Sequence, residues 1–561
     1  MEENAGLEIV AEPSKEECKL CLQNVPRYLT AKELTPKLQD LLKEFQHEYK
    51  VQKDPKKDTC IMIFPSQGSL SDFQDFISNK KILYPKCKKP LSINSLTKRK
   101  LNVESDAFYS ISKKNSSLPE SERIQDQVTK FWRYPYSEQL ELKKKMASSA
   151  LSRINYSHVI EYVVASPVLT GYRNKCEFTI GFGGESGKDP IVGFTMGSYM
   201  EENLSVCSPD PILIVHPGMK AFVAAFNEWL ISAHYQQDRI TPVDALFAVY
   251  NRITHCGFWR LLLLRLMDDG KCLVMALISV TKLSSDANYP LKGLEEFCRS
   301  FSWEGQDNKN VSVASLSYQE SSSLSLNFDF SKPLVSIYGP KSLPMTILDF
   351  KFEVSIEAFF QANVYASEKL FTLAGSFIAD GSDATSSVQK NRILLDLCCG
   401  SGTIGIILSS FADHVVGIEL IAEAIEDAKR NAAINGILFL IFLGISEKSE
   451  WIAGPVETIL PKVLSSHSKS DEFVVILDPP RNGVKKEVIH SLRSNPLIKK
   501  VIYISCKADL AALKTVHHLT SLCRSTSKRY PGGPFCIKRA IPVDLFPQTD
   551  HYELLLLFER N

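Results

Sequence analysis

Cys506 closes the apolar run Val501-Ile502-Tyr503-Ile504-Ser505-Cys506, shortly after Asp478-Pro479-Pro480-Arg481. A thiolate is a strong nucleophile, so a cysteine in this place can attack an electrophilic carbon. The plain alternative is a packed thiol, because free cysteine is among the most buried residue types. A second group follows in Asp544-Leu545-Phe546-Pro547-Gln548-Thr549-Asp550-His551-Tyr552-Glu553, where Glu553 stands at the mouth of an apolar strand over 554–558. A carboxylate beside a thiol can take up a proton during the same reaction. Five or six β-prone residues ended by a polar break read as a buried parallel strand. Ligands of open α/β sheets sit outside the carboxyl ends of such strands, which is where Cys506 falls.

The elements that would position these groups lie just upstream. Arg392-Ile393-Leu394-Leu395-Asp396-Leu397-Cys398-Cys399-Gly400-Ser401-Gly402 is a buried strand ending in an acid and a glycine turn, followed by an apolar helix over 404–411. Glycines there let backbone approach a ligand closely. The next strand, 415–419, ends at Glu419, some twenty residues beyond the turn. Its carboxylate suits both hydroxyls of a ribose; capping of a helix over 422–431 is the alternative. A third strand is expected at 437–443 and a fourth at 473–477, running into Asp478-Pro479-Pro480-Arg481. Consecutive prolines stop that strand and donate no backbone hydrogen bond, so the loop is stiff. An acid-ended strand, a glycine turn, a second acid and this loop point to S-adenosylmethionine rather than a nicotinamide cofactor.

Bulk properties narrow the class. The chain has 561 residues, 44% hydrophobic and 23% charged, with net charge +1. That is ordinary for a soluble globular protein of three or four domains, and whole-chain charge neither demands nor excludes nucleic acid. No apolar run approaches the roughly 18 residues that span a bilayer. The acidic opening Met1-Glu2-Glu3 does not fit a secretory or mitochondrial leader. Fourteen scattered cysteines then suit reduced thiols in cytosol or nucleus. Cys18-Lys19-Leu20-Cys21 lacks a second compact pair, so no metal is expected.

Residues 14–98 read strand, helix, strand, strand, helix, strand, with Thr30 and Glu33 as a capping box. The order resembles an RNA-recognition motif. The positions where such domains stack bases hold Cys21, Thr59 and Ile61, none aromatic. Between Lys50 and Lys100, twelve Lys/Arg face four Asp, a density that can hold phosphates without reading bases, or merely form a solvated face. Residues 99–135 are rich in Ser, Lys and Glu and read as a linker. A helix is expected at 138–153, and residues 136–350 read as mixed α/β with β pieces at 176–182, 261–266, 272–278 and 323–330.

Taken together, Gly171-Tyr172-Arg173-Asn174-Lys175, Phe359-Phe360-Gln361-Ala362-Asn363, the segment 396–402, Asp478-Pro479-Pro480-Arg481, Ser505-Cys506 and Pro547-Gln548-Thr549 through Glu553 resemble the uracil-5 RNA methyltransferase family, in its order. The likeness is strongest to the eukaryotic tRNA enzymes that carry an amino-terminal RRM. It implies an α/β protein with an RRM-like α+β domain at 14–98, a central RNA-recognition domain at 136–350 and a Rossmann-like S-adenosylmethionine-dependent catalytic domain at 351–561. By the same resemblance Cys506 adds to C6 of uracil, which makes C5 nucleophilic, and Glu553 removes the C5 proton. Gln361, Glu419 and Asp478 match positions that contact cofactor or base, while Cys398 and Gly400 fall on the cofactor loop. The implied partner is tRNA, with the T-loop uridine at position 54 as target, flipped out of its stack; no membrane or metal is implied, and a monomer is expected. Two departures stand out: Lys507-Ala508 replaces the usual Asn-Pro, and Gly444-Ile445-Ser446-Glu447 leaves Glu447 as the acid nearest an adenine. The alternatives are a cytosine-5 RNA methyltransferase, disfavoured by the Asp-Pro-Pro-Arg context, and a non-catalytic RNA-folding protein.

Overall fold

The computed structural model describes residues 18–23, 25–26, 31–52, 59–64, 66–80, 82, 90–94, 118–154, 160–183, 189–196, 205–237, 248–251, 257–268, 272–281, 288–305, 310–323, 327–380, 391–437, 448–468, 470–480, 483–506, 510–521 and 532–560. The chain divides into two compact units, Met1–Ile111 and Ser112–Asn561.

In the first unit the elements are β1 (Cys18–Gln23), α1 (Ala31–Leu41), β2 (Lys50–Gln52), β3 (Thr59–Phe64), α2 (Gln67–Asn79) and β4 (Ser92–Asn94). They form one antiparallel sheet in the order β2-β3-β1-β4, a split β-α-β arrangement. Leu20 and Leu22 of β1 and Met62 and Phe64 of β3 share a core with Leu34 and Leu38 of α1 and Phe73 and Ile77 of α2. Alternate strand positions thus face the helices. The side chains of Cys21, Thr59 and Ile61 lie outside the described set.

The second unit opens with α3 (Glu120–Val128) and α4 (Tyr136–Ser152). Helix α3 corrects the expectation of a linker for 118–135, where Ile124 is fully buried and Phe131 nearly so; residues 99–117 of that expected linker lie outside the described residues. A large mixed sheet follows, built from β5 (Lys175–Gly183), β6 (Asp189–Thr195), β7 (Val206–Cys207), β8 (Trp259–Asp268), β9 (Cys272–Thr281), β10 (Ser302–Glu304), β11 (Asn310–Ser321) and β12 (Val335–Tyr338). No strand forms at 327–330. There the Gln319 amide donates to Asp329 O at 2.9 Å and accepts from Asp329 N–H at 3.1 Å, taking the place of ladder bonds.

Strands β8 and β9 are mostly apolar on both faces because both faces are covered, with Arg260, Arg265 and Ser279 buried among them. Leu262, Leu264 and Val274 pack on one core. Leu263, Met275 and Leu277 join another core with Phe360, Phe371 and Leu394. No break in packing therefore separates 136–350 from 351–561. A hairpin of β13 (Ser342–Ile347) and β14 (Phe350–Ser355) lies between them in sequence.

After α5 (Val364–Ala379), the carboxyl-terminal sheet comprises β15 (Arg392–Leu397), β16 (His414–Glu419), β17 (Ser449–Ala453), β18 (Glu472–Leu477), β19 (Ile498–Ser505), β20 (Cys536–Val543) and β21 (Glu553–Glu559). Its order is β17-β16-β15-β18-β19-β21-β20. The first five are parallel, and β21 inserts antiparallel between β19 and β20. Helices α6 (Ala422–Ile434), α7 (Val456–Ser466), α8 (Lys486–Ser494) and α9 (Leu510–Thr520) complete a doubly wound, Rossmann-like domain. The third strand is β17, not 437–443: Ile437 is non-strand, and 438–447, with Glu447, lie outside the described residues.

Candidate active site

One edge of this sheet gathers the predicted residues. In the parallel ladders Leu397 is paired with Ile418 and with Leu477, so Cys398, Glu419 and Asp478 leave their strands side by side. Leu477 pairs with Tyr503, which brings the end of β19 and Cys506 to the same edge. Strand β21 runs the other way, so its first residue, Glu553, arrives where its neighbours end. Ser505 pairs with Leu554, the last pair of that ladder, so Cys506 directly follows it on one strand and Glu553 directly precedes it on the other.

The glycine turn is tightly specified. Cys398, Gly400 and Gly402 all have left-handed backbones, with φ of 66°, 55° and 80°. A Cβ on Gly402 would lie 3.0 Å from Ala428 and from the Trp451 ring, whereas one on Gly400 would meet nothing within 4 Å. Gly400 thus faces open space, where a ligand can approach backbone. Gly400, Gly402 and Gly405 form a full Gly-x-Gly-x-x-Gly spacing. The Gly405 N–H donates to Asp396 Oδ2 at 2.8 Å, tying the turn to the strand end.

Glu419 does two jobs. Its Oε2 accepts from Gly400 N–H and its Oε1 from Ile421 N–H, both at 3.1 Å. The second bond goes to Ile421, the residue before α6, and α6 has no side-chain cap bond, so the capping alternative is not met; the part-exposed carboxylate keeps lone pairs for a ribose. Leu420 and Ile421, 67% and 56% exposed, give an apolar surface beside it.

Electrostatics single out the acids. Burial raises the carboxyls of Asp396 and Asp478 to about 7, and the charges of Asp478 and Glu419 add to the effect on Asp396. Glu553, 4% exposed, is pushed well above the carboxylate range by burial and then by Asp478. Its Oε2 has no hydrogen-bond partner among the described residues. Among the described residues no cationic side chain contributes to these shifts, and buried carboxyls of this kind suit a positively charged ligand such as a sulfonium. Cys506 is partly exposed, consistent with a reacting rather than a packed thiol. By contrast burial lifts Cys398 to about 12, so it contributes backbone rather than a thiolate.

Gln361 enters from a different direction. Its carbonyl accepts from Asn174 Nδ2 at 2.9 Å, and the Asn174 N–H donates to Ala362 O at 3.0 Å. Asn363, fully buried, caps α5 through Ala366 N–H and donates to Leu545 O at 3.0 Å. The Phe-Phe-Gln-Ala-Asn segment is therefore fastened between the Gly-Tyr-Arg-Asn-Lys segment and the loop that leads to Glu553. The sequence placed Asn174 and Asn363 within motifs without giving them this role; an asparagine flanked by site residues was the available signal.

A Rossmann-like domain with a carboxylate-lined cofactor edge, a strand-end thiol and a buried acid defines a methyltransferase-type site. Residues 336–561 match the model of the tRNA (Uracil-5-)-methyltransferase family. The chain is 33% identical over 467 residues to tRNA (uracil-5-)-methyltransferase homolog A of Mus musculus, covering 79% of this chain and 70% of that one. To homolog B of Homo sapiens it is 31% identical over 461 residues, covering 78% and 84%. The chain belongs to the tRNA (uracil-5-)-methyltransferase family.

Proposed function

We propose that this protein methylates C5 of a uridine in tRNA, at T-loop position 54, through a covalent adduct on Cys506. The observation that carries the reading is the end of the β19–β21 ladder: Ser505 pairs with Leu554, a partly exposed Cys506 follows β19, and a buried Glu553 whose Oε2 has no hydrogen-bond partner among the described residues opens β21. S-adenosylmethionine supplies the methyl group when bound. Gly400, Glu419 and the apolar pair Leu420 and Ile421 hold it, and Asp396 and Asp478 offset its positive charge. C5 of uracil is itself too weak a nucleophile, so the Cys506 thiolate bonds to C6 and the electron pair moves toward C5. Once C5 carries the methyl group, Glu553 takes the C5 proton, the C5–C6 double bond re-forms and the C6–S bond breaks. Burial favours protonated Glu553 in the resting protein, so positive charge in the pocket would be needed to ready it as a base.

The helix-backed sheet of the first unit supports an RRM-like role in gripping RNA backbone or a protein partner. Cytosol and nucleus, as a monomer, remain the proposed setting. The test is to incubate the protein with labelled S-adenosylmethionine and tRNA transcript and digest to nucleosides. 5-Methyluridine at position 54 is the expected product, lost when that uridine is replaced; 5-methylcytidine as sole product would reject the reading.

A further inference from the structure

The loop Asp544 to Asp550, which delivers Glu553, is held largely by a segment far upstream. Lys143 of α4 is fully buried and donates to Asp544 Oδ1 at 2.6 Å and to Phe546 O at 2.9 Å. The same Oδ1 accepts from Phe546 N–H at 3.1 Å, so cation, carboxylate and loop backbone form one unit. One turn earlier, the amide of Gln139 exchanges two bonds with Gln548: Nε2 donates to Oε1 at 2.9 Å, and Gln139 Oε1 accepts from Gln548 N–H at 2.8 Å. Gln548 has φ of 69°, a left-handed conformation that costs free energy in a non-glycine residue and persists only where neighbours enforce it. Phe131 N–H donates to Gln548 O at 2.9 Å, and Lys130 pairs with Asp550 at 2.8 Å.

A buried lysine is expensive unless paired, and burial does push Lys143 down while Asp544 pulls it back. Anchoring α4 alone would not call for a buried charge: Ala147, Ala150 and Leu151 already give it an apolar face. What Lys143 and Gln139 add is direction, since both bond to polar groups of one short loop five to nine residues before Glu553.

We infer that Lys130 to Lys143 is a brace for the proton-abstraction step, with Lys143 and Gln139 as positioning residues that set Glu553 against the adduct on Cys506. This rests on the proposed base role of Glu553. Cys506 directly follows β19 and is not part of the loop, so loosening the brace separates the two halves of the reaction: thiolate addition and methylation proceed, whereas loss of the C5 proton slows. A misplacement of about 1 Å is enough to cost roughly a hundredfold in such a step.

The experiment compares Gln139→Met and Lys143→Met with wild type in full-length protein. With 5-fluorouridine tRNA, which stalls before proton loss, adduct formation reports the early steps. With natural tRNA, persistence of methylated protein–tRNA adduct on denaturing gels reports release. The expected result is adduct formation within about twofold of wild type and release slowed roughly tenfold to a hundredfold. General structural damage would instead lower both rates in proportion, and that outcome, or unchanged release, overturns the inference. Should Lys143→Met fail to fold, Gln139→Met decides. Glu553→Gln run alongside separates the two readings. If it releases normally, the base assignment fails and the brace with it. If it traps adduct while the brace variants release at the wild-type rate, only the brace fails.

Discussion

Cys506 and Glu553 flank the last pair of an antiparallel ladder, Ser505 with Leu554, Cys506 following one strand and Glu553 opening the other. Opposite residues in such a ladder lie close enough for their side chains to meet. The parallel strands alone would place every strand end on one edge but no second group directly beside the thiol; inserting β21 in reverse does that.

In the proposed reaction the two groups act at different stages, so their variants should fail differently. Cys506→Ala is expected to abolish both turnover and the adduct with 5-fluorouridine tRNA. Glu553→Gln should form methylated adduct from natural tRNA but release product about 10²–10⁴-fold more slowly, the usual worth of a positioned base. Gel shift under denaturing conditions and single-turnover methyl transfer check both outcomes.

Cofactor binding should expel protons near neutral pH. Asp396 and Asp478 sit at about 7 in the free protein because burial disfavours their charged forms. A bound sulfonium favours the charged forms and lowers both values. Affinity for S-adenosylmethionine therefore rises as pH increases through about 7. Calorimetry in buffers of different ionisation enthalpy should show proton release, reduced in Asp478→Asn. The sign for folding is opposite. Raised carboxyls hold protons in the native state that the unfolded chain gives up near pH 4, so their contribution is fully present below that and lost as pH rises through about 7. Without cofactor the protein should melt lower at pH 8 than at pH 6, and the difference should shrink in Asp396→Asn.

Packing beneath the glycine turn gives a stability test independent of chemistry. A Cβ on Gly417 of β16 would come within 2.2 Å of the buried Trp451 ring. Gly417→Ala should therefore destabilise by about 1–3 kcal/mol through overpacking. Trp451→Phe removes the ring atoms that collide, so the double variant should lose less than the sum of the single losses, a coupling that a double-mutant cycle from thermal melts would reveal.

The cofactor edge was legible because β15, β16, β18 and β19 are short apolar runs ended by residues that cannot stay in a core: Asp396 into Cys398, Glu419, Asp478 and Cys506. The third strand was not. The run over 437–443 outweighs Ser449–Ala453 in apolar content, yet in β17 only Ser449 and Trp451 are buried, which is all an edge strand needs. Lys143 was illegible for a related reason: it opens Lys143-Lys144-Lys145, which reads as a solvated face. Only the buried spacing Gln139, Lys143, Ala147 shows it pointing inward, and that pattern requires knowing which polar residues have partners.

Asn174 offers the last test, because its side chain bears on the target pocket without touching the cofactor turn. Its Nδ2 holds the Gln361 carbonyl, while its Oδ1 has no hydrogen-bond partner among the described residues. Asn174→Ala deletes one hydrogen bond, worth about 1 kcal/mol, and also removes an unsatisfied buried oxygen. The backbone bonds from Asn174 N–H to Ala362 O and from Leu266 N–H to Asn174 O persist. The variant should thus fold with a nearly unchanged melting temperature. If Gln361 helps seat the flipped base, its loosened carbonyl should lower kcat/KM for tRNA by roughly tenfold or more. Affinity for S-adenosylmethionine, proposed to rest on Gly400 in the turn after β15 and Glu419 at the end of β16, should not move. Equal losses in cofactor affinity and methylation would instead mean that Asn174 supports the whole pocket rather than the Gln361 segment.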